Sequence, residues 1–194
     1  MNAPLILGVT GASGAPYALR LIRALIDLQV PTYLIISTHG WRLLRLEAEV
    51  NNEDELKSRI RGDWSGIEFV SNSDRGAVPA SGSVVTRGMV VCPCSMGTLA
   101  AISHGNSRSL IERAADVTMK ERRPLVLVPR ETPLSQVHLR NMLEVSRAGA
   151  VVMPAAPGFY GRPESIDELV EFIVARVLDH MHIKHAIGER WSGQ

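Results

Sequence analysis

The sequence predicts an α/β protein: a three-layer α/β/α sandwich around a mostly parallel central sheet, Rossmann-like or flavodoxin-like. Two patterns carry this. Short runs that are apolar at every position, such as Leu5-Ile6-Leu7-Gly8-Val9 and Leu125-Val126-Leu127-Val128, suit strands buried on both faces. These runs alternate with segments of helical period, the mark of parallel strands joined by crossover helices. Length agrees. A chain of 194 residues fits one domain, taken as 1–194, with a real core and no need of staples.

The elements follow in order. Leu5–Val9 is a strand, and the helix after it carries Leu21, Leu25 and Leu28 on one side with Ala18, Ile22 and Ile26 beside them. Tyr33–Ile36 is a second buried strand, and Trp41 to Val50 reads as a helix. Residues 51–66 are polar and peripheral, with a short helix near Glu53–Ile60. Met89–Cys92 and Leu125–Val128 are strands, Ser135 to Ala148 a helix and Ala150–Met153 a strand. In the last long helix Ile166, Leu169, Val170, Ile173, Val174 and Val177 form an i, i+3, i+4 stripe. Ser165, with Glu168 three residues on, predicts a capping box at its start. The tail 183–194 is polar and is expected to need a partner to order it.

Composition excludes several classes. Lys+Arg total 21 against 20 Asp+Glu, so no positive excess exists to drive nucleic-acid binding by counterion release. With 45% apolar and 21% charged residues the chain is globular rather than disordered. Residues 88–107 hold no charged side chain, but Pro93, His104 and Asn106 make them a strand, turn and buried helix rather than a membrane span. Met1-Asn2-Ala3-Pro4 lacks the basic start of a signal peptide, so a cytoplasmic protein is expected. Cys92-Pro93-Cys94 is too close a pair for a good disulfide, and no histidine spacing forms a metal box.

In such folds ligands bind beyond the carboxyl ends of strands, so the strand-to-helix loops carry the candidates. Thr10-Gly11-Ala12-Ser13-Gly14-Ala15 combines small residues with the start of a helix, whose N–H groups suit a phosphate. Pro93-Cys94-Ser95-Met96-Gly97-Thr98 repeats the pattern, and plain capping by Ser95 explains it equally well. Pro79-Ala80-Ser81-Gly82-Ser83 reads as an active-site, interface or surface loop. Arg113 and Lys120 share a helix face, but Asp116 lies at ion-pair spacing from both, which accounts for them without any ligand. Arg130-Glu131 follows the strand ending at Val128, where ligands go. Pro154-Ala155-Ala156-Pro157-Gly158-Phe159-Tyr160 is a rigid loop that ends in two rings able to stack on a planar ligand.

Taken together, these blocks resemble the UbiX-type flavin prenyltransferases, nearly end to end. The resemblance rests on the loop from Thr10 to Gly14, on Ala80-Ser81-Gly82-Ser83, on Cys92-Pro93-Cys94-Ser95, and on Glu112 to Val117. It continues through Lys120 to Leu127, Pro129-Arg130-Glu131-Thr132-Pro133, and Gly149 to Tyr160. It implies a flavin prenyltransferase that joins reduced FMN to dimethylallyl monophosphate at flavin N5 and C6, with no metal. It implies a product used by UbiD-type decarboxylases, and a homo-oligomer, typically a dodecamer.

The motifs carry residue roles with them. The family's FMN contacts fall on Gly11, Ala12, Ser13, Ser37, Ser95, Met96, Gly97, Thr98 and Arg130. Gly97 departs from the lysine common there. The prenyl-phosphate positions fall on Lys120, Tyr160 and Arg176, with Ser81, Arg113 and Glu131 nearby. Glu47 matches an active-site carboxylate and Trp191 an aromatic near the site. On this reading Arg113, Lys120 and Arg176 stabilise the departing phosphate, and the rings of Tyr160 and Trp191 shield the allyl cation. Glu47, with Ser13 or the released phosphate, handles protons at the flavin. Two rivals remain. A flavin-dependent cysteine decarboxylase needs a His and an Asn in loops that here read Pro79–Ser83 and Pro154–Gly158 and hold neither. A flavin carrier that loads a decarboxylase would have no use for a cationic cluster beside the flavin.

Overall fold

In the computed structural model, which describes residues 3–188, six parallel strands form one sheet in the order β3-β2-β1-β4-β5-β6. The strands are β1 (Leu5–Val9), β2 (Thr32–Ile36), β3 (Ile67–Phe69), β4 (Gly88–Cys94), β5 (Leu125–Pro129) and β6 (Val151–Val152). This is the doubly wound Rossmann order, whose direction of winding reverses between β1 and β4. Leu7 sits level with Leu34 on one side and Val90 on the other, so β1 is the centre of the sheet.

The two faces explain why the strand runs are apolar throughout. Leu5, Leu7 and Val9 point into a core shared with α1 (Ala15–Asp27) and α7 (Ile166–His180). α2 (Thr38–Ala48) and α3 (Glu53–Arg59) border that core through Leu44 and Leu56. Ile6, Met89, Val91, Leu125 and Leu127 point the other way. There they meet α4 (Met96–Ser103), α5 (Leu110–Lys120) and α6 (Gln136–Arg147). Each strand residue alternates between two buried layers, so a polar side chain has no solvated position in the middle of the sheet.

The differences from expectation are local. β3 lies just beyond the peripheral stretch 51–66, in residues the sequence reading assigns to no element, because a three-residue edge strand is too short to show a period. α2 starts at Thr38 rather than Trp41, since Ser37 caps it by accepting from the Gly40 N–H at 3.0 Å. The capping box on α7 is one-sided. Ser165 accepts from the Glu168 N–H, but the Glu168 carboxylate accepts from Glu164 N–H instead of Ser165. The reciprocal box belongs to α6, between Ser135 and His138. Residues 183–188 fold back against α7 after a turn at its end, and the rest of the tail lies outside the described residues.

Cys92 and Cys94 are free and fully buried in β4. Burial pushes the Cys92 thiol up to about 12, and Cys94 higher still. Neither thiol should react with a disulfide reagent at pH 8 in the native protein, while both should react in denaturant. Labelling followed by colorimetry checks this, and prompt native labelling would contradict the packing of β4. Among the described residues no helix is long and apolar enough to cross a membrane, and no group of His, Cys, Asp and Glu could hold a metal ion.

Candidate functional site

The loops at the carboxyl ends of β1, β2, β4 and β5 meet where the winding reverses. Thr10, which follows β1, stitches them together. Its buried hydroxyl donates to the Pro93 carbonyl at 2.9 Å and accepts from the Ser95 N–H at 2.8 Å. Ser37 N–H donates to the Val9 carbonyl at 2.9 Å, which brings the start of α2 alongside. The family motifs begin at Thr10, but its stitching role is missed by sequence reasoning. Its one signal is a hydroxyl residue at the end of an all-apolar strand.

Helix starts show which loop is unusual. α2 to α7 are each capped by the side chain of the residue before them: Ser37, Asn52, Ser95, Ser109, Ser135 and Ser165. α1 begins at Gly14, which has no side chain to cap with and sits at φ +134°. Its donors are taken by Glu47, from the last turn of α2. The carboxylate accepts from Gly14 N–H at 2.9 Å and Ala15 N–H at 2.8 Å. So the first turn of α1 does not present these two N–H groups to a phosphate, as the loop's composition suggests; a carboxylate already holds them.

Burial alone would raise the Glu47 carboxyl. The Gly14 and Ala15 N–H groups, the Ser13 hydroxyl and the Arg130 guanidinium outweigh it and hold Glu47 below its ordinary value. Arg130 Nε also donates to the Ser13 carbonyl at 3.2 Å. Ser13, Glu47 and Arg130 therefore form one cluster. Gly11 faces His39 so closely that a β-carbon would lie 2.5 Å from His39 Cβ. Ala12 and Met96 are buried, so their side chains belong to the core. At the start of α4, Ser95 Oγ accepts from Thr98 N–H and donates to Thr98 Oγ1. Gly97 faces open space: a β-carbon there would have Ser95 Oγ, 4.0 Å away, as its nearest neighbour. That leaves room at this helix start for an anion. Glu131 turns back on its own loop, accepting from Thr132 N–H.

The remaining candidates lie elsewhere. Ser81 and Lys120 come together at the other end of the sheet. A β-carbon on Gly82 would stand 2.7 Å from Lys120 Nζ. Arg123 pins that loop, donating to the Gly82 carbonyl at 2.8 Å and the Val84 carbonyl at 2.6 Å. Lys120 precedes β5 and Arg130 follows it, so roughly 15 Å of strand separates them in one chain. Lys120 pairs with Glu121 rather than Asp116, because Glu121 is adjacent and Asp116 is engaged by Arg113 at 2.9 Å. Arg113 sits about 10 Å up the helix from Lys120.

Tyr160 and Arg176 form a third group. The Tyr160 ring meets Phe172 edge-on at 5.8 Å between centroids. Phe172 and Arg176, one turn apart on α7, line a groove of about 270 Å³ with Val151, Met153 and Pro154. On its other side Phe172 borders a cavity of about 590 Å³ with Tyr160, Glu168 and Glu171. Trp191 lies outside the described residues.

Comparison with known proteins agrees with this architecture. The flavoprotein family profile matches residues 1–178. The chain is 44% identical to the flavin prenyltransferase UbiX of Pseudomonas aeruginosa over 203 residues, covering 100% of this chain and 97% of that protein. It is 44% identical to the enzyme of the same name from Halalkalibacterium halodurans, covering 96% and 92%. Among solved structures it matches AnUbiX in complex with FMN and dimethylallyl pyrophosphate at TM-score 0.91 and 41% identity, covering both chains completely. It matches a dodecameric FMN-dependent UbiX-like decarboxylase from Escherichia coli O157:H7 at TM-score 0.89 and 42% identity, covering 98% and 100%. The FMN-dependent cysteine decarboxylase TvaF shares the fold alone, at 12% identity and TM-score 0.64. By sequence along its whole length and by fold, the chain belongs to the UbiX family of flavin prenyltransferases.

Proposed function

We propose that the protein transfers the dimethylallyl group of dimethylallyl monophosphate to N5 and C6 of reduced FMN, acting as one flavin-binding unit over residues 1–194. The C–O bond of the phosphate ester breaks and prenyl C1 bonds to N5, which loses its proton. Prenyl C3 then bonds to C6, the C6 proton is lost and one proton is taken up at prenyl C2, so the one net proton released leaves with inorganic phosphate. FMN supplies the nucleophilic nitrogen and ring carbon; the chain supplies position, charge and proton handling. The observation that carries the reading is Glu47, an ionised carboxylate fixed by Gly14 and Ala15 and flanked by Ser13 and Arg130 at the reversal of the sheet.

The residues fit the flavin. Gly11, Ala12, Ser13 and Ser37 follow the carboxyl ends of β1 and β2, where the winding of the sheet reverses. The open start of α4 at Ser95, Met96, Gly97 and Thr98, with Arg130 beside it, suits the FMN phosphate. Glu47 and Ser13 hold and move a proton near the reacting edge of the ring, and Glu131 adds a second carboxylate on the adjoining loop. Lys120, Arg113, Arg176 and Tyr160, with Ser81, bind the donor phosphate as charge builds on it. One chain does not bring these three groups together, so the complete site combines residues from several copies. This supports a homo-oligomer, and the dodecameric relative supports that size. The product is suited to UbiD-type decarboxylases, and the free thiols fit a reducing cytoplasm.

The test is the mass of flavin extracted after anaerobic incubation with reduced FMN and dimethylallyl monophosphate. A flavin heavier by one five-carbon unit is expected. FMN recovered unchanged, with both the monophosphate and the pyrophosphate as donor, would leave a carrier or a decarboxylase as the better reading.

A further inference from the structure

We propose that Asp179 and His185 are positioning residues that hold Arg176 in the orientation in which it meets the donor phosphate; this rests on the function proposed above. Three links run in sequence. Arg176 Nη1 donates to Asp179 Oδ2 at 3.0 Å. The other carboxylate oxygen, Asp179 Oδ1, faces His185 Nε2 at 3.2 Å. His185 Nδ1 in turn accepts from the Ile187 N–H at 3.1 Å. Because Nδ1 is an acceptor, the neutral ring carries its proton on Nε2 and donates it to Asp179.

The burial gradient gives the arrangement direction. The His185 side chain is 2% exposed, Asp179 24% and Arg176 51%. The buried end is fixed and the exposed end is a guanidinium on a groove. An i, i+3 pair on an open helix surface is worth little by itself. Here Asp179 is fixed from behind, so fewer Arg176 rotamers compete with the paired one.

The end of α7 builds this backing. His182 adopts a left-handed φ of +53°. Its N–H donates to the Asp179 carbonyl and Ile183 N–H to the Leu178 carbonyl, which is a Schellman turn. Ile183 is buried beneath the turn. The chain therefore reverses and lays His185 against the helix it has just left. Further along, Gly188 lies against Ala175, where a β-carbon would be 3.4 Å from Ala175 Cβ. The returning segment thus runs along the face of α7 that carries Glu171, Ala175 and Asp179, next to Arg176.

Steady-state prenyl transfer by the full chain, with FMN affinity measured separately, tests the proposal. Asp179→Asn should raise the donor KM about tenfold, with kcat within about twofold and FMN affinity unchanged. Arg176→Ala should raise it at least as much, and Asp179→Asn should add nothing further in the Arg176→Ala background. His185→Gln keeps a donor towards Asp179 and should stay near the wild type; His185→Leu should behave like Asp179→Asn. An Asp179→Asn penalty that persists in full without Arg176 would mean a structural role and overturn the proposal. So would an Arg176→Ala defect that Asp179→Asn does not share. A wild-type protein that transfers no prenyl group would instead overturn the function itself, and an unchanged donor KM in Arg176→Ala would remove Arg176 from the donor site.

Discussion

Glu47→Gln is expected to lower prenyl transfer by about a hundredfold to ten-thousandfold while leaving a folded protein that still binds FMN. The amide keeps one acceptor oxygen for the α1 N–H groups but loses the charge and the ability to take a proton. Its direct cost to stability is that of a weakened helix cap, about 1 kcal/mol. pH separates the two roles. Glu47 is held below its ordinary value, so its folded-state contribution is fully present above that ordinary value and is lost as pH falls through the lowered one. The stability gap between wild type and Glu47→Gln should therefore be constant at neutral pH and close on acidification. Chemical denaturation across pH 3–7 reads this directly; a gap that widens in acid would contradict an ionised Glu47.

Lys120→Ala should be as damaging to turnover and nearly silent in stability. Lys120 is exposed at the last turn of α5, and its visible partner is Glu121. Exposed ion pairs contribute little, so the unfolding midpoint should stay within about 0.5 kcal/mol of the wild type. A cation placed where phosphate charge develops is worth about 3–4 kcal/mol in the transition state, a loss of two to three orders of magnitude. Turnover with saturating donor, set beside the denaturation midpoint, checks both halves. Activity near wild type in Lys120→Ala would remove this residue from the reaction.

Much of this was legible in the sequence, for identifiable reasons. The strands around β1 and β4 announce themselves because burial on both faces leaves no polar position, as in Leu5–Val9. Capping serines mark helix starts because the rule is local, as at Ser95 and Ser165. β3 escaped because three edge residues carry no period. The contacts that build the site escaped for a different reason: they are long-range. No pattern near residue 14 shows that the donors of α1 are met by Glu47, which lies on another helix. Nor does the spacing of Lys120, Arg130 and Arg176 show that they occupy separate regions of one chain. The resemblance implies that these residues act together, while the fold of a single copy holds them apart. The contacts of Asp179 and His185 were equally hidden, because the turn at His182 brings together residues that no helical period would pair.

On the proposed function, one reaction centre is shared between copies, with Glu47 and Lys120 supplied by different chains. Coexpressing Glu47→Gln and Lys120→Ala chains and weighing the flavin made by the purified mixed assembly tests it most directly. Each variant alone should leave FMN unmodified. The mixed assembly should recover a fraction of wild-type prenyl transfer, because some centres then combine an intact Glu47 with an intact Lys120. Mixed assemblies confirmed by native mass spectrometry that still return only unmodified FMN would contradict the account.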